Sequence, residues 1–435
     1  MSNDSPTLDI QRTSPAMNYP KWMLQAAQAG KGLGSLIWEL SSLMFGPGKL
    51  QPQEYFMYEL YDDERYTLEA KRTFVGDNAP TVPSPWPEIA NDKPTLTALL
   101  KGLDLPIPET QAIVHKTRSF ADAATLRNRE DVGRFLRKDA AYPIFGKPFD
   151  GMCSLGTANI SRYDAKQDSL VLSSGHLLPL ESLIDQLESL GWRYLFQTLL
   201  RPHPSLLPII GDNVSTVRMF VLSDREGCVL LRAAWKIPVG NNGADNFWRQ
   251  GNVLAGIDVE TGRIVMARRR TAEGTEVITR HPESEASFEN MEFPEWQAMR
   301  EVVLRAAANL PGCHFQGWDV ALTDRGPVLV ELEGDGGDPI MEQLCFNTGL
   351  LQGRYQAFIE SADEIEKEKQ AKKKAQRATS LRNNFAQLSL IGQSNRPATQ
   401  SEIDPEEVRA ELQQEGKEAS HDEFDPAAET VIVGS

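Results

Sequence analysis

Residues 19–46 alternate apolar and polar positions with a helical period and stop at the breaker "GPGK". The stretch "GSLIWELSSLMF" inside it is too short to cross a bilayer and carries Glu39, so it reads as an amphipathic helix packed on the body of the protein. An aromatic-rich segment follows, with Tyr55, Phe56, Tyr58, Tyr61 and Tyr66 at spacings typical of a core. The proline-rich "NAPTVPSPWPEI" then links this helical region, residues 19–89, to a chain of different texture.

From about residue 90 helices and strands mix. "DKPTLTALLKG" and "LESLIDQLESLG" have a helical period, and "ATLRNREDVGRFLRKD" reads as one helix, acidic early and basic late. "QAIVHKT", "AYPIFGKPF", "DSLVLSSG" and "WRYLFQTLL" read as strands, as do "STVRMFVLS" and "CVLLRAAWKI". "LAGIDVETGRIVMARRR" and "CHFQGWDVALTDRGPVLVELEGD" each contain a Gly- or Asp-rich reversal between β-prone runs, the mark of a hairpin. "PEWQAMREVVLRAAANL" is an amphipathic helix between them. Many hairpins with interspersed helices predict an α+β fold with largely antiparallel strands, not a doubly wound parallel sheet. Residues 1–18 are polar and expected to be disordered. After about residue 360 the apolar period is lost: residues 361–435 read as a charged helical extension and a disordered acidic tail.

Composition narrows the function classes. The 435 residues carry a formal net charge of −16, which argues against broad nucleic-acid binding while allowing a local basic pocket for a phosphorylated ligand. The start lacks a basic-then-apolar leader, no run reaches the length of a membrane span, and the four cysteines are scattered without metal-ligand spacing. The expectation is a cytoplasmic protein with reduced, buried thiols, open to protein contacts through the N-terminal helix or the acidic tail.

Two stretches carry candidate chemistry. In "GWDVALTDRGPVLVELEGDGGD" a turn near Asp324–Gly326 folds Asp319 back across the ladder towards Glu331 and Glu333, which share one face. Three carboxylates on one face repel by about 4 kcal/mol per pair at 4 Å and an effective dielectric of 20. A hard cation, Mg²⁺ or Mn²⁺, would relieve this, unless the hairpin simply faces water. In "YPIFGKPFDGMCSLGTA" an apolar strand delivers Lys147 directly before Pro148, and Gly151, Ser154 and Gly156 follow in a loop able to bring amides to an anion. Alone, this loop is a weak signal beside the reading of a hairpin with an idle turn; its spacing is neither a Walker loop nor a dinucleotide fingerprint. Arg218, Lys236 and Arg268–Arg270 sit on or beside apolar strands, where a buried cation needs a partner: a polyphosphate, the acidic hairpin or a structural salt bridge.

Taken in order, strand–Lys–Pro–Gly loop, a strand ending "FQTLL", Arg and Lys on strands, and an Asp…Glu-x-Glu hairpin resemble the ATP-grasp superfamily over roughly residues 90–360. "NVSTVRMFVL", "GADNFWRQGNVLAGIDVETGRIV", "HPESEASFENMEFPEW" and "KLQPQEYFMYELYD" are similar to the sugar-transfer-associated subgroup, related to α-L-glutamate ligase-like proteins. The resemblance implies two α+β lobes clamping ATP, and a ligase that activates a small-molecule carboxylate as an acylphosphate for attack by an amine or another nucleophile. It implies that Lys147 contacts phosphates and that Gly151, Ser154 and Gly156 belong to the loop folding over them. Gln197, Leu199 and Leu200 would edge the adenine, and Arg218 and Lys236 would serve the transferred phosphoryl group. Asp319 and Glu331 would hold metal, with Glu333 at a position where the family often has Asn; Glu333-Gly334-Asp335 is an alternative register. "GNNGADNFWRQGN" and His281 would border the acceptor site, against the competing reading of a surface loop and a satisfied histidine. A catalytically silent nucleotide-binding scaffold and a kinase using the same clamp on a hydroxyl are the rival functions.

Overall fold

A computed structural model describes residues 18–77, 84–120, 122–150, 156–240, 245–272, 274–334, 339–362, 367, 371–377 and 379–380. The chain divides into two units, residues 1–367 and 368–435. In the second, residues 371–377 and 379–380 are helical.

The first unit holds two seven-stranded sheets. Sheet 1 contains β1 (Thr110–Val114), β2 (Ala124–Leu126), β3 (Ile144–Pro148), β4 (Ala158–Asp164), β5 (Ser169–Leu172), β6 (Leu177–Pro179) and β7 (Tyr194–Thr198), in the order β2-β1-β7-β3-β4-β5-β6. Only β1 and β2 pair in parallel. Sheet 2 contains β8 (Thr216–Asp224), β9 (Gly227–Ile237), β10 (Val253–Ile257), β11 (Ile264–Arg270), β12 (Thr275–Ile278), β13 (Phe315–Thr323) and β14 (Gly326–Glu333), in the order β12-β11-β10-β9-β8-β13-β14 and antiparallel throughout.

Strand alternation gives each sheet one helix-backed face and one other face. In sheet 1, Ile144, Tyr194 and Phe196 enter a core with Leu183, Ile184 and Leu187 of the helix Leu180–Ser189. Lys147, Leu195 and Gln197 therefore point the opposite way. In sheet 2, Val217, Met219, Trp235, Ile237, Trp318 and Val320 pack on Met299 and Val303 of the helix Trp296–Ala307. That leaves Arg218, Lys236 and Asp319 on the other face, where the site is assembled.

The N-terminal region shares a core with sheet 2, since Tyr55, Phe56 and Leu43 cluster with Ala234, Leu254 and Ile340. The helical stretch is split into Tyr19–Gln28 and Leu33–Met44, with Gly30 at φ +85° between them. The second helix is inverted relative to its simple amphipathic reading. Glu39 faces inward with Leu36 and Leu43, while Leu33, Ile37 and Trp38 are more than half exposed. Glu39 is tolerated inside because Lys31 (2.5 Å), Lys71 (3.1 Å) and the Tyr55 hydroxyl (2.9 Å) all bond its carboxylate.

Four strands escape the sequence reading: β2, β4, β6 and β12. "ATLRNREDVGRFLRKD" is not a single helix either, because Ala124–Leu126 extends beside β1 before the helix starts at Arg129 with Asn128 as its cap. Of the four cysteines, Cys228, Cys313 and Cys345 are described, all as thiols. No helix among the described residues is long and apolar enough to cross a membrane.

Candidate active site

The lysine of β3 is positioned by its neighbours. A Cβ at Gly146 would stand 2.6 Å from the Tyr194 ring, so glycine lets β3 and β7 close over that tyrosine. The Tyr194 hydroxyl donates to the Gly156 carbonyl (2.8 Å), and Gly156 has φ +72°, a left-handed turn that suits glycine. One tyrosine thus ties the strand carrying Lys147 to the far end of the glycine loop. Gly151 and Ser154 lie outside the described residues.

Lys147 is buried and crosses from sheet 1 to sheet 2, where its Nζ donates to the Val330 carbonyl of β14 (3.3 Å). Burial pulls its pKa down to about 8, opposed by the nearby Glu331 carboxylate and helped by the Lys93 ammonium. Lys93, at the start of the helix Lys93–Gly102, reaches Glu331 Oε1 at 2.9 Å. Lys93, Leu96, Lys147, Gln197, Leu329 and Glu331 line a cleft between the sheets with 10 Å³ of free space, room for at most one water. Gln197 is buried there, with its amide 3.4 Å from Thr110 Oγ1. Leu199 and Leu200 follow the end of β7 and are half-buried, and the Leu199 N–H is bonded to the Pro143 carbonyl (3.1 Å).

The second cluster lies on sheet 2. The register sets Arg218 opposite Asp319, and Asp319 opposite Glu331. The Arg218 guanidinium clasps two carboxylates: Nε to Asp319 Oδ1 at 2.7 Å and Nη1 to Glu333 Oε2 at 2.6 Å. Lys236 donates to Asp319 Oδ2 (2.8 Å) and lies 3.9 Å from Asp245, whose carboxylate accepts the Thr216 N–H (2.8 Å) and hydroxyl. Burial disfavours charge on Arg218, but Asp319 and Glu333 outweigh it and hold the guanidinium protonated. Burial likewise opposes ionisation of Asp319, yet Arg218 and Lys236 hold its carboxyl well below the usual carboxylate range. Lys236 is raised on balance, the attraction of Asp245 and Asp319 exceeding its burial cost.

The expected convergence of Asp319, Glu331 and Glu333 is resolved differently here. Each is turned to a protein cation: Arg218 and Lys236 on Asp319, Lys93 on Glu331, Arg218 on Glu333. Among the described residues no three His, Cys, Asp or Glu side chains are grouped to hold a metal ion. Asp335, the alternative ligand, lies outside the described residues. Arg268, grouped with the site cations in the sequence, bonds Thr275 and Asn347, and Arg270 bonds the Gly274 carbonyl.

Four contributors were not singled out from sequence: Lys93, Thr216, Asp245 and Glu342. Glu342, in the helix Ile340–Leu344, is fully buried, and neither carboxylate oxygen has a hydrogen-bond partner among the described residues. Burial pushes its pKa up to about 7, against the attraction of Arg218. A raised folded-state pKa stabilises below the unfolded value and loses that contribution as pH rises through about 7. Glu342→Gln is therefore expected to flatten the fall in stability between pH 5 and pH 8, with the larger gain over wild type at pH 8. Urea midpoints at the two pH values measure this; an equal shift at both would refute it.

Residues 84–357, more than half of the chain, match the family model described as sugar-transfer associated ATP-grasp. None of the curated proteins compared matches the chain. Among solved structures, an L-amino acid ligase from Bacillus licheniformis is 14% identical, over 62% of this chain and 50% of that one, with a TM-score of 0.32. The ATP-grasp ligase PsnB, complexed with a minimal precursor, is 19% identical over 68% of this chain and 66% of that one (TM-score 0.30). The biotin carboxylase domain of 2-oxoglutarate carboxylase from Hydrogenobacter thermophilus, complexed with MgADP, is 14% identical over 69% and 52% (TM-score 0.33). The chain spans about half the length of the first and third of these.

Proposed function

The chain belongs to the sugar-transfer associated ATP-grasp family, and from that premise we propose that it is an ATP- and Mg²⁺-dependent ligase joining a carboxylate to an amine through an acylphosphate. The observation that carries this reading is the meeting of the two sheets. Lys147 of sheet 1 reaches β14 of sheet 2, beside a buried Arg218–Asp319–Lys236 cluster. Phosphoryl transfer asks mainly for positioned positive charge, and these cations stand at the junction of the sheets.

In this scheme Gln197 and the apolar side chains of the cleft hold the base, and Leu199 and Leu200 border it. Lys147 binds the phosphates, with Gly156 at the end of the loop that folds over them. Opening the cleft beside the helix Lys93–Gly102 makes room for the nucleotide. Arg218 neutralises the phosphoryl and acyl oxygens, and Lys236 adds a second positive charge beside them. The substrate carboxylate takes the terminal phosphoryl group as ADP leaves; the amine then attacks the acyl carbon and phosphate leaves. Water would waste the acylphosphate, so a closed site protects it.

The donor chemistry fits a divalent ion. Asp319, Glu331 and Glu333 offer only hard carboxylate oxygens, and Mg²⁺ commonly takes one or two of these together with substrate phosphates. These three residues would hold it, once Arg218 and Lys93 have released oxygens they now engage. The ion supplies charge neutralisation to the polyphosphate.

The test is product analysis. Purified protein with ATP, Mg²⁺ and panels of acids and amines is expected to give a condensed product, ADP and free phosphate by mass spectrometry. A phosphorylated product without condensation would identify a kinase. ATP binding without turnover on any panel would favour the silent scaffold, a reading to which the cation-occupied carboxylates lend support.

A further inference from the structure

Seven of the ten large hydrophobic side chains exposed among the described residues lie between Tyr19 and Phe45. The helix Leu33–Met44 is their centre. At about 100° per residue, Leu33, Ile37, Trp38 and Phe45 fall on one side of its axis, and Leu36, Glu39 and Leu43 on the other. Phe45, just past the last turn, is 78% exposed. Tyr19, Met23 and Leu24 of the preceding helix add to the apolar surface. Whole side chains of this size cover roughly 150–250 Å², so seven of them about half exposed offer on the order of 700 Å². The largest apolar patch of a typical monomer is about 300–600 Å², and each partner in a stable complex contributes about 800 Å².

The same segment presents no charge. From Trp22 to Gly48 the sequence holds two charged residues, Lys31 and Glu39, and both side chains are buried and paired with each other at 2.5 Å. The chain as a whole carries −16, so two copies repel wherever their charged surfaces meet. In a two-fold contact each surface meets itself, and any exposed charge there would face its own copy. This face has none to oppose. A helix lying on a membrane carries Lys or Arg beside its apolar side, and the helix Leu33–Met44 has neither. Gly34 and Ser41, two turns apart, keep the exposed side low. A Cβ at Gly34 would meet nothing within 4 Å, so no contact inside the chain calls for glycine, whereas a second helix coming close would.

We propose that this face is a homodimer interface, in which the helix Leu33–Met44 packs against its own copy about a two-fold axis. Leu33, Ile37, Trp38 and Phe45 form the dry centre, and Tyr19, Met23 and Leu24 flank it. The occupant is a second copy of this chain because the face is charge-free within a strongly acidic molecule and matches in area what one partner contributes. The inward turn of Glu39 then has a purpose beyond the N-terminal core: it takes the helix's one charge out of the contact.

Sedimentation equilibrium of the full chain tests this. At about 10 µM, above the weak end of the micromolar-to-picomolar range for interfaces of this size, twice the monomer mass is expected. Ile37→Glu combined with Trp38→Glu sets four carboxylates into the contact and is expected to weaken dimerisation at least ~100-fold, leaving monomers. Both side chains are exposed in the single chain, so the far-ultraviolet circular dichroism of the variant should match that of the wild type. Phe45→Lys lies beyond the helix and is expected to dissociate the dimer without bearing on helix formation. Val277→Glu, at an apolar residue of β12 that is 58% exposed, is the control and should leave the dimer intact. A monomeric wild type, dimers that persist in both N-terminal variants, or equal dissociation by Val277→Glu would overturn the proposal. Flotation of a monomeric wild type with phosphatidylcholine vesicles would assign the face to lipid; monomers that stay behind would assign it to another protein or another segment of this chain. Either result removes the second copy.

Discussion

Replacing Lys147 with alanine is expected to lower ATP-dependent product formation by about 100- to 1000-fold, the usual cost of deleting one preorganised charge-stabilising group. The fold should survive the change. Burial has already pulled the Lys147 pKa down to about 8, so the native state gains little from its charge, and its one hydrogen bond among the described residues is a long contact to the Val330 carbonyl. Lys147→Met keeps most of the volume without the ammonium and is expected to lose activity equally. Turnover and thermal midpoint measured on the same preparations separate chemistry from folding. Full turnover in Lys147→Met would show that this lysine does not serve the phosphates, whatever else the sheet junction does.

That expectation rests on a residue that the sequence places well. β3 delivers Lys147 as the apolar run "YPIF" suggests; Gly146 is explained by the Tyr194 ring against it and Gly156 by its positive φ, neither of which local spacing reveals. The β13–β14 hairpin was legible from strand alternation and its Gly-containing turn, but the register set by that turn would bring Val330 opposite Asp319, and a bulge between Asp319 and Val320 is what puts Glu331 there. The α+β class followed from the same hairpins, and the family match bears out the ATP-grasp resemblance.

What stayed hidden depends on partners distant in sequence. Glu39 looked like the polar mark of a surface helix, because nothing near it announces Lys31, Lys71 and Tyr55 closing around it. Lys93 looked like an ordinary first-turn residue, yet the helix it begins leans on β14 and aims the ammonium at Glu331. Glu342 sits among apolar neighbours in a short helix, and only the packed fold shows its carboxylate without a partner. β4 and β12 are half-exposed strands whose polar positions obscure the period-2 signal. Charge pairing in this fold is mostly long-range, whereas alternation and turn chemistry are local.

The same long-range pairing makes Asp319 the residue on which stability and site geometry meet. Asp319→Ala removes the carboxylate shared by Arg218 and Lys236, both buried, and leaves two cations facing one another inside the protein. Breaking such a buried pair from one side costs about 3–5 kcal/mol. Glu333 still holds Arg218 from a more exposed position, and Asp245 stands 3.9 Å from Lys236, so the lower part of that range is expected. The sign with pH follows from the depressed pKa of Asp319: its contribution is present above the unfolded carboxylate value and is lost as pH falls through the lower folded value. Urea unfolding near neutral pH should therefore show the full loss, and the variant's acid limb should be flatter than that of the wild type. Asp319→Asn, which keeps the shape and one acceptor oxygen, should recover part of the stability without the charge. A variant as stable as wild type at pH 7 would mean that Arg218 and Lys236 are neutralised by other groups, and the cluster would then lose its claim to organise the site.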